Sequence, residues 1–482
     1  MTPTPPQSAL DRLRRQLTDA SQSRLLAYAD TLNDDGRQEL FHAIVALDPD
    51  RLSALRTAAL SPDSSDIQTE ALAPAPCYPL DPASPDKPWD RDQYAAIGEA
   101  LIRAGKVAAF TVAGGQGTRL GYDGPKGCHH AGAVTGKPLF AMLAEQVLAA
   151  SKKYSVAIPW RLMTSPLNHD ATVAFFTEHD HFGLDPQQVG FFHQGVLPTF
   201  DADTGDLLLA GKHQPATNPD GHGGSLKALY ASGALNDLRS LGVEHLSYTQ
   251  IDNPLVRMFD PVFLGLHTNA DDSSAQMSSK MIAKKSPAEK VGVFCLENGV
   301  LKVIEYSDLP ADLAQQRTKS GALRFNAGSP AIHIISLDFV RQLNESSAGF
   351  ALPLHRARKK VSHIDLTTGE RIEPTEPNAI KLESFVFDAL PICDRSIVVE
   401  TDRMEFAPIK NATGADSYET CGRLQTERAA SWLEAAGVHV PRTGAGDPDC
   451  TLEISPLTAL SQADLAARDL PREIKPGERL AL

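Results

Sequence analysis

The sequence predicts an α/β fold, with a mostly parallel central sheet flanked by helices, a helical segment before it and a smaller unit after it. Two patterns point there. Short apolar runs of strand length recur between residues 106 and 335, and runs with helical period lie between several of them. The bulk agrees: 482 residues, 42 % hydrophobic and 22 % charged, is an ordinary globular composition with ample chain to bury a core.

Taken in order, residues 8–60 read as helices. Leu10, Leu13 and Leu17 share one face, Leu40, Phe41, Ile44 and Leu47 another, and Gly36 falls in the expected break. Ser61–Pro88 is rich in Pro, Ser, Ala and Asp and reads as a linker or long meander. Ala95–Ala104 is an expected helix, followed by strands at Lys106–Ala113, Trp160–Thr164, Val189–Phe192, His245–Ile251 and Ala331–Ile335. Leu139–Lys153 and Ser225–Leu241 are the intervening helices. Residues 277–306 look antiparallel, with Asn298-Gly299 as a hairpin turn, and are expected at the sheet edge. Beyond about 396 a smaller unit carries a helix near Asp416–Ala436. The expected division is 1–92, 93–395 and 396–482.

Sixty acidic residues against 46 basic ones leave a net charge of -14. That argues against a general nucleic-acid or membrane-surface binder, so any anionic ligand needs cations gathered locally. The six cysteines (Cys77, Cys128, Cys295, Cys393, Cys421, Cys450) form no CxxC pair, which suits a reducing compartment. The Pro-rich Met1–Leu10 stretch does not read as a signal peptide, and no apolar run reaches membrane-spanning length. A cytoplasmic protein is expected.

The strongest chemical signal follows the first strand: Ala113-Gly114-Gly115-Gln116-Gly117-Thr118-Arg119-Leu120-Gly121, then Pro125-Lys126-Gly127. Clustered glycines allow positive φ and close approach to a ligand, and successive N–H groups can cradle phosphate oxygens. Arg119 and Lys126 add two cations. The Walker pattern is absent, the spacing Gly115, Gly117, Gly121 misses the dinucleotide fingerprint, and Pro125 bars a helix from opening there.

Other positions admit two readings each. Asp252 ends a strand, where a carboxylate serves equally as a Mg²⁺ ligand or a helix cap. Gly221-His222-Gly223-Gly224 opens a helix whose N-terminus can receive an anion or a base edge, and Gln194 reads plainly as a surface-loop residue. Glu305-Tyr306 and Phe325-Asn326-Ala327-Gly328 are a hairpin strand and a Gly-terminated turn, or polar and aromatic groups suited to a hexose. Phe385 and Phe387 alternate as if along a strand. Lys381 and Lys410 are isolated cations, and His355–Lys360 is a basic run expected on a solvated helix face.

Together these blocks resemble the eukaryotic-type UTP:sugar-1-phosphate uridylyltransferases, and most closely the UDP-N-acetylglucosamine pyrophosphorylase branch. The likeness runs collinearly from about residue 90 to about 460, through Gln194–Pro198, Pro219–Gly224, Gln250–Leu255, Val303–Ser307, Phe325–Gly328, Asn378–Asp388, Glu405–Asn411 and Glu453–Leu457. The resemblance implies a Rossmann-like, GT-A-like mixed sheet of the nucleotide-diphospho-sugar transferase type. It implies Mg²⁺ on Asp252, and small-molecule substrates, UTP and a hexose 1-phosphate. It implies that Gly114–Thr118, Gln194 and Gly221 hold the nucleotide, and that Arg119, Lys126 and Lys410 act on the phosphates. His222, Glu305, Tyr306, Asn326, Gly328, Phe385, Phe387 and Lys381 then surround the sugar and its phosphate.

Two positions depart from that branch. It usually has Asn where this chain has His222, and Asn where this chain has Ser329. N-acetylglucosamine 1-phosphate ranks first as the substrate, and glucose 1-phosphate or a broad sugar range second. A non-catalytic nucleotide-sugar sensor is a more remote alternative on the same scaffold.

Overall fold

The apolar run after residue 106 becomes the strand Val107–Val112, buried along nearly its whole length. His245–Gln250, Trp160–Thr164 and Val189–His193 join it in parallel. Strands covered on both faces need continuous apolar sequence rather than alternation, and these have it. The computed structural model describes residues 7–61, 69–346 and 350–482. Residues 1–6, and 62–68 of the expected linker, lie outside the described residues.

Two compact units divide the chain by packing and cut across the sequence-order segments. One comprises Met1–Ile67, Gln194–Ser225 and Leu352–Val386; the other comprises Gln68–His193, Leu226–Ala351 and Phe387–Leu482.

The larger unit holds the main sheet. Its order is Leu72–Pro74, Val293–Glu297, Ala327–Gly328, Met277–Ala283, His333–Ser336, His245–Gln250, Val107–Val112, Trp160–Thr164, Val189–His193. Only the last four are mutually parallel, so the sheet is mixed rather than mostly parallel. The Val293–Glu297 and Val300–Ile304 hairpin turns at Asn298 (φ 50°) and Gly299 (φ 81°), as expected. Met277–Ala283 is not at the edge: it lies inside the sheet, paired with Ala327–Gly328, His333–Ser336 and Val398–Glu400. The strand expected from Ala331 starts at His333, because Ala331 takes φ 57°. The expected helix 225–241 is two, Gly224–Ala231 and Ala234–Ser240, broken where Gly233 takes φ 83°.

The described part of the supposed linker is docked. Tyr78 exchanges backbone bonds with Val398 and Glu400, and its hydroxyl donates to Asp272. Helices Arg91–Arg103 and Pro261–Asn269 touch backbone to backbone. A Cβ on Gly98 would stand 1.8 Å from Pro261 O, and one on Gly265 would stand 2.0 Å from Tyr94 O. The C-terminal helix Tyr418–Ala435 packs Ala429, Ala430 and Leu433 with Leu452, Leu465 and Ile474. Among the described residues no helix is long and apolar enough to cross a membrane.

In the smaller unit, Gln7–Asp19, Ser23–Thr31, Asp34–Val45 and Leu52–Leu60 bury Leu13, Leu17, Leu25, Leu40, Phe41 and Ile44 with Phe200, Leu207, Ile380 and Leu382. Gly36 is not in a break but in the first turn of its helix, where its N–H donates to the capping Asn33 side chain at 2.9 Å. The basic run is not a helix face. His355–Lys359 is a strand, antiparallel to Ala379–Glu383, which pairs in turn with Phe200–Asp201. Pairing with the apolar Ala379–Leu382 run outweighs the charge pattern there. Phe385 and Phe387 are not on a strand either, since pairing ends at Glu383 and a 3₁₀ segment spans Val386–Ile392.

The main sheet buries histidines. His267 Nδ1 shares a hydrogen bond with Ser278 Oγ, 2.8 Å, and the His245 ring meets the His267 ring edge-on at 5.1 Å. Burial pulls His245 down to about 4, and pulls His267 well below the usual histidine range with His245 adding to the effect. The unfolded chain therefore binds more protons once pH drops below about 6.5, and stability falls with pH over that range. Urea unfolding should show free energy decreasing from pH 7 to pH 5, and less steeply in His267→Gln; equal slopes would remove this pair as the cause. Separately, Gly98→Val should cost about 2–3 kcal/mol in the same assay, because the helix contact has no room for a side chain.

Candidate active site

Open parallel sheets present their ligand-binding loops beyond the C-terminal strand ends. Val107–Val112 and His245–Gln250 run in register, with Val112 opposite Gln250, and Ile251 N donates to Val112 O at 3.1 Å. The glycine loop leaves the first strand and Asp252 leaves the second. Lys126 Nζ lies 3.6 Å from Asp252 Oδ2, and both side chains are largely buried.

The loop is a closed turn. Lys126 N donates to Gly115 O at 3.0 Å and Gly117 N donates to Gly124 O at 2.9 Å, setting Gln116 opposite Pro125. The expectation of positive φ at the clustered glycines fails, since Gly114, Gly115 and Gly117 all keep negative or extended values. Gly117 is needed for space: a Cβ there would be 2.7 Å from the Tyr122 ring. At Gly115 a Cβ would meet nothing within 4 Å, so the backbone is open to approach from outside. Gln116 Oε1 is buried without a hydrogen-bond partner among the described residues. Thr118 and Arg119 are exposed, and no carboxylate among the described residues pairs with Arg119. No α-helix opens from the loop, only 3₁₀ turns at Thr118–Leu120 and Lys126–Cys128.

Asn168, which sequence reading passed over, fastens this loop. Its side-chain amide donates to Ala113 O at 3.0 Å and to Gly115 O at 3.2 Å, while its Oδ1 accepts from Ser165 N and Oγ. The available signal was a run of turn residues, Ser165-Pro166-Leu167-Asn168, at the end of the neighbouring parallel strand. Behind the loop, Glu453 accepts from Val134 N, Thr135 N and Thr135 Oγ1, and Gln425 bonds both Ala131 and Ala133. The C-terminal segment thus buttresses the chain that follows Lys126.

On the other side of Asp252, Asn253 donates to Glu405 O at 2.8 Å and accepts from Ala407 N at 3.1 Å, and Ile409 N donates to Asp252 O at 2.9 Å. Those bonds lay the Glu405–Lys410 segment along the strand end. Glu405 is gripped by Lys280, whose Nζ lies 2.7 Å from both Glu405 Oε2 and Asp260 Oδ2 and is 1 % exposed as a side chain. Burial pushes Asp260 up, but Arg257 and Lys280 outweigh it and hold its carboxyl below the ordinary range. Lys410 sits 5.4 Å over the Phe406 ring and has no ion-pair partner among the described residues.

Gly292 lies beside two of the expected sugar residues of this unit, Glu305 and Gly328, the latter paired with the adjoining Val293. A Cβ on Gly292 would be 3.3 Å from Glu305 Oε1, and Ser329 N donates to Gly292 O at 2.8 Å. Asn326 O accepts from Lys284 N and Gly328 N, and Ala327–Gly328 is a short strand rather than a Gly-terminated turn. Lys284, also passed over by sequence reading, is 8 % exposed; burial lowers its pKa, and its Cγ lies 3.3 Å from where a Gly328 Cβ would stand. Tyr306 is exposed and Phe387 buried.

The remaining expected residues belong to the smaller unit. Gln194 is buried rather than a surface-loop residue. Gly221 takes φ 83° against the Ser384 backbone, and Gly223 N donates to Ser384 O. His222 Nδ1 accepts from Val386 N at 3.1 Å, which leaves the proton of the neutral ring on Nε2. Its ring stacks on Phe385 at 5.2 Å, and Phe385 stacks on His355 at 4.5 Å. Lys381 lies opposite Ala357 in the strand pair.

Asn168→Ala should free the glycine loop without unfolding the sheet. Hydrogen exchange at the amides of Gly117 and Lys126 should quicken at least tenfold; unchanged protection would assign the loop's order to its own backbone bonds.

The family profile described as UTP–glucose-1-phosphate uridylyltransferase matches residues 85–417. The chain is 33 % identical to UDP-N-acetylglucosamine diphosphorylase 2 of Arabidopsis thaliana, over 97 % of this chain and 92 % of that one. It is 37 % identical to UDP-N-acetylglucosamine pyrophosphorylase of Saccharomyces cerevisiae, over 72 % and 74 %. Among solved structures, the uridine diphosphate N-acetylglucosamine pyrophosphorylase of Trypanosoma brucei in complex with inhibitor superposes with a TM-score of 0.79 at 26 % identity, covering 98 % of this chain and 99 % of that one. The profile match spans the strand-end loop, Lys126 and Asp252, and the chain belongs to the UTP–glucose-1-phosphate uridylyltransferase family.

Proposed function

We propose that this protein is a uridylyltransferase that makes UDP-N-acetylglucosamine and pyrophosphate from UTP and N-acetylglucosamine 1-phosphate. The observation that carries the reading is the meeting of Lys126 and Asp252 at adjacent strand ends, with Arg119 and Lys410 left without carboxylate partners among the described residues. Unpaired cations held beside an open backbone loop suit a polyphosphate in a chain that is otherwise acidic.

In the reaction, a phosphate oxygen of the sugar attacks the α-phosphorus of UTP in line. The bond from that phosphorus to the bridging oxygen breaks, and its electrons leave with pyrophosphate. No general base is needed, because the second pKa of such a phosphate is about 6 and the nucleophile is already ionised at neutral pH. The work left to the protein is positioning and charge neutralisation. Gly114, Gly115, Gln116, Gly117 and Thr118 carry the triphosphate, with Arg119 and Lys126 on the departing pyrophosphate. Lys410 and Lys381 hold the sugar phosphate. Gln194 and Gly221 recognise the uridine, and His222, Glu305, Tyr306, Asn326, Gly328, Phe385 and Phe387 recognise the sugar.

Among the described residues no group of three His, Cys, Asp or Glu side chains forms a closed metal cage. A single strand-end carboxylate still fits Mg²⁺, which binds through one or two carboxylates and completes its shell with phosphate oxygens and water. Asp252 is that carboxylate, and the ion supplies charge neutralisation on the phosphates when bound. Six free cysteines fit a reducing compartment, and we place the protein in the cytoplasm acting on small molecules.

A second reading, glucose 1-phosphate, is favoured by His222, which stands where the acetylhexosamine branch has Asn and whose ring is held by Val386 N and the Phe385 stack. Pyrophosphate release with UTP and Mg²⁺, run in parallel with both sugar phosphates, decides between them. Preference for N-acetylglucosamine 1-phosphate supports the first reading, preference for glucose 1-phosphate the second, and silence with both from folded protein contradicts enzymatic function. Lys126→Ala should lower kcat more than about tenfold with little change in unfolding midpoint, because it removes a contact made to the reacting phosphates. His222→Asn should move the preference toward the acetylated sugar by roughly tenfold, the scale of one repositioned polar contact.

A further inference from the structure

We propose that the larger unit contains a second, separate site for a small oxyanion, in the cavity walled by Arg257, Arg428 and Trp432, and that its occupancy bears on the Glu405–Lys410 segment. The cavity holds about 310 Å³ and is also lined by Lys280, Glu405 and Trp89. Three cations, Arg257, Lys280 and Arg428, face two carboxylates, Asp260 and Glu405, around its inner wall. Lys280 is matched by both acids at 2.7 Å. Arg257 lies 3.5 Å from Glu405 and 3.6 Å from Asp260, and the two acids hold its pKa above the usual arginine value. Arg428 is the unmatched cation. Its one hydrogen bond among the described residues goes from Nη1 to Leu255 O at 3.0 Å, and its guanidinium lies 5.2 Å over the Trp432 ring. Burial lowers its pKa to about 10, the direction expected of a cation with too few partners.

The rim carries Arg91, Glu400 and Asp402. Both rim acids are engaged with the backbone: Glu400 Oε2 accepts from Leu80 N and Asp402 Oδ1 from Met404 N. Arg91 donates to Leu80 O and stacks on Trp89. Arg428 spends one of its five N–H donors on Leu255 O, and a planar guanidinium fixed on an indole is a ready fork for a carboxylate or a phosphate. An anion there competes with Glu405 for Arg257. Glu405 is bonded through its carbonyl to Asn253, next to Asp252, and its segment ends at Lys410. Occupancy of the cavity therefore pulls on the chain that carries an expected catalytic lysine.

Calorimetric titration of the full-length protein tests this, with inorganic phosphate as one probe and citrate as the other, so that phosphate-bearing and carboxylate-bearing sources are told apart. Three variants accompany the wild type: Arg428→Gln, Ala463→Trp and Lys126→Ala. Ala463 lines the cavity and is exposed on the short helix Gln462–Ala466, so the indole fills space without touching the ion cluster, and folding is expected to survive. The proposal expects saturable binding of at least one probe, weakened at least tenfold in Arg428→Gln and in Ala463→Trp and unchanged in Lys126→Ala. No saturable binding of either probe, binding indifferent to Ala463→Trp, or binding lost only in Lys126→Ala would overturn it.

Discussion

The buried contact of Lys280 with Asp260 and Glu405 is the constraint on which the strand-end geometry rests. Lys280 sits on an interior strand of the sheet, Asp260 caps the helix Pro261–Asn269, and Glu405 begins the segment that ends at Lys410. One ammonium thus ties sheet, helix and loop together. Burying these three charges with Arg257, which lies 3.5 Å from Glu405 and 3.6 Å from Asp260, costs desolvation that their attraction only partly offsets, so such a cluster adds little net stability compared with well-packed apolar residues. Removing one member leaves an uncompensated buried charge, which makes the arrangement hard to escape once formed. Its consequence is position: with Glu405 held by Lys280, its carbonyl lies on Asn253 and Ile409 N on Asp252 O.

Charge is distributed accordingly. The chain carries a net charge of -14, yet Arg119, Lys126 and Lys410 lie on loops at or stitched to strand ends of one sheet. Lys126 and Asp252 neutralise each other at 3.6 Å in the protein alone. Under the proposed function a polyphosphate would bring new partners for the lysine and a divalent ion one for the aspartate, which makes their mutual contact the resting arrangement of that reading. Asn168 and Glu453 hold the surrounding backbone through hydrogen bonds that do not depend on that charge balance.

Much of this was legible in the sequence because it is local. The parallel strands are continuous apolar runs, the Asn298-Gly299 turn needs two left-handed residues, and the collinear blocks mark the strand-end loops. What escaped was non-local. The basic run His355–Lys360 looks helical in isolation and becomes a strand because an apolar strand lies ready to pair with it. Phe385 and Phe387 alternate in sequence, but pairing stops at Glu383 and the chain turns into a 3₁₀ segment. Asn168 and Lys284 carry no motif; only the folded chain shows one pinning the glycine loop and the other buried beside Gly328. Gly114, Gly115 and Gly117 were expected to supply unusual φ; Gly115 and Gly117 instead supply an open backbone and room, and Gly121 and Gly124 take the positive φ.

The buried ion cluster places the Glu405–Lys410 segment, and Glu405→Gln removes its charge while keeping its shape. Steady-state pyrophosphate release, read beside UTP binding on the same folded protein, separates placement from nucleotide affinity. Placement of Lys410 by the cluster predicts kcat reduced more than about tenfold with the Kd for UTP within about twofold of the wild type. An unchanged kcat in a variant that folds and binds UTP normally would contradict it.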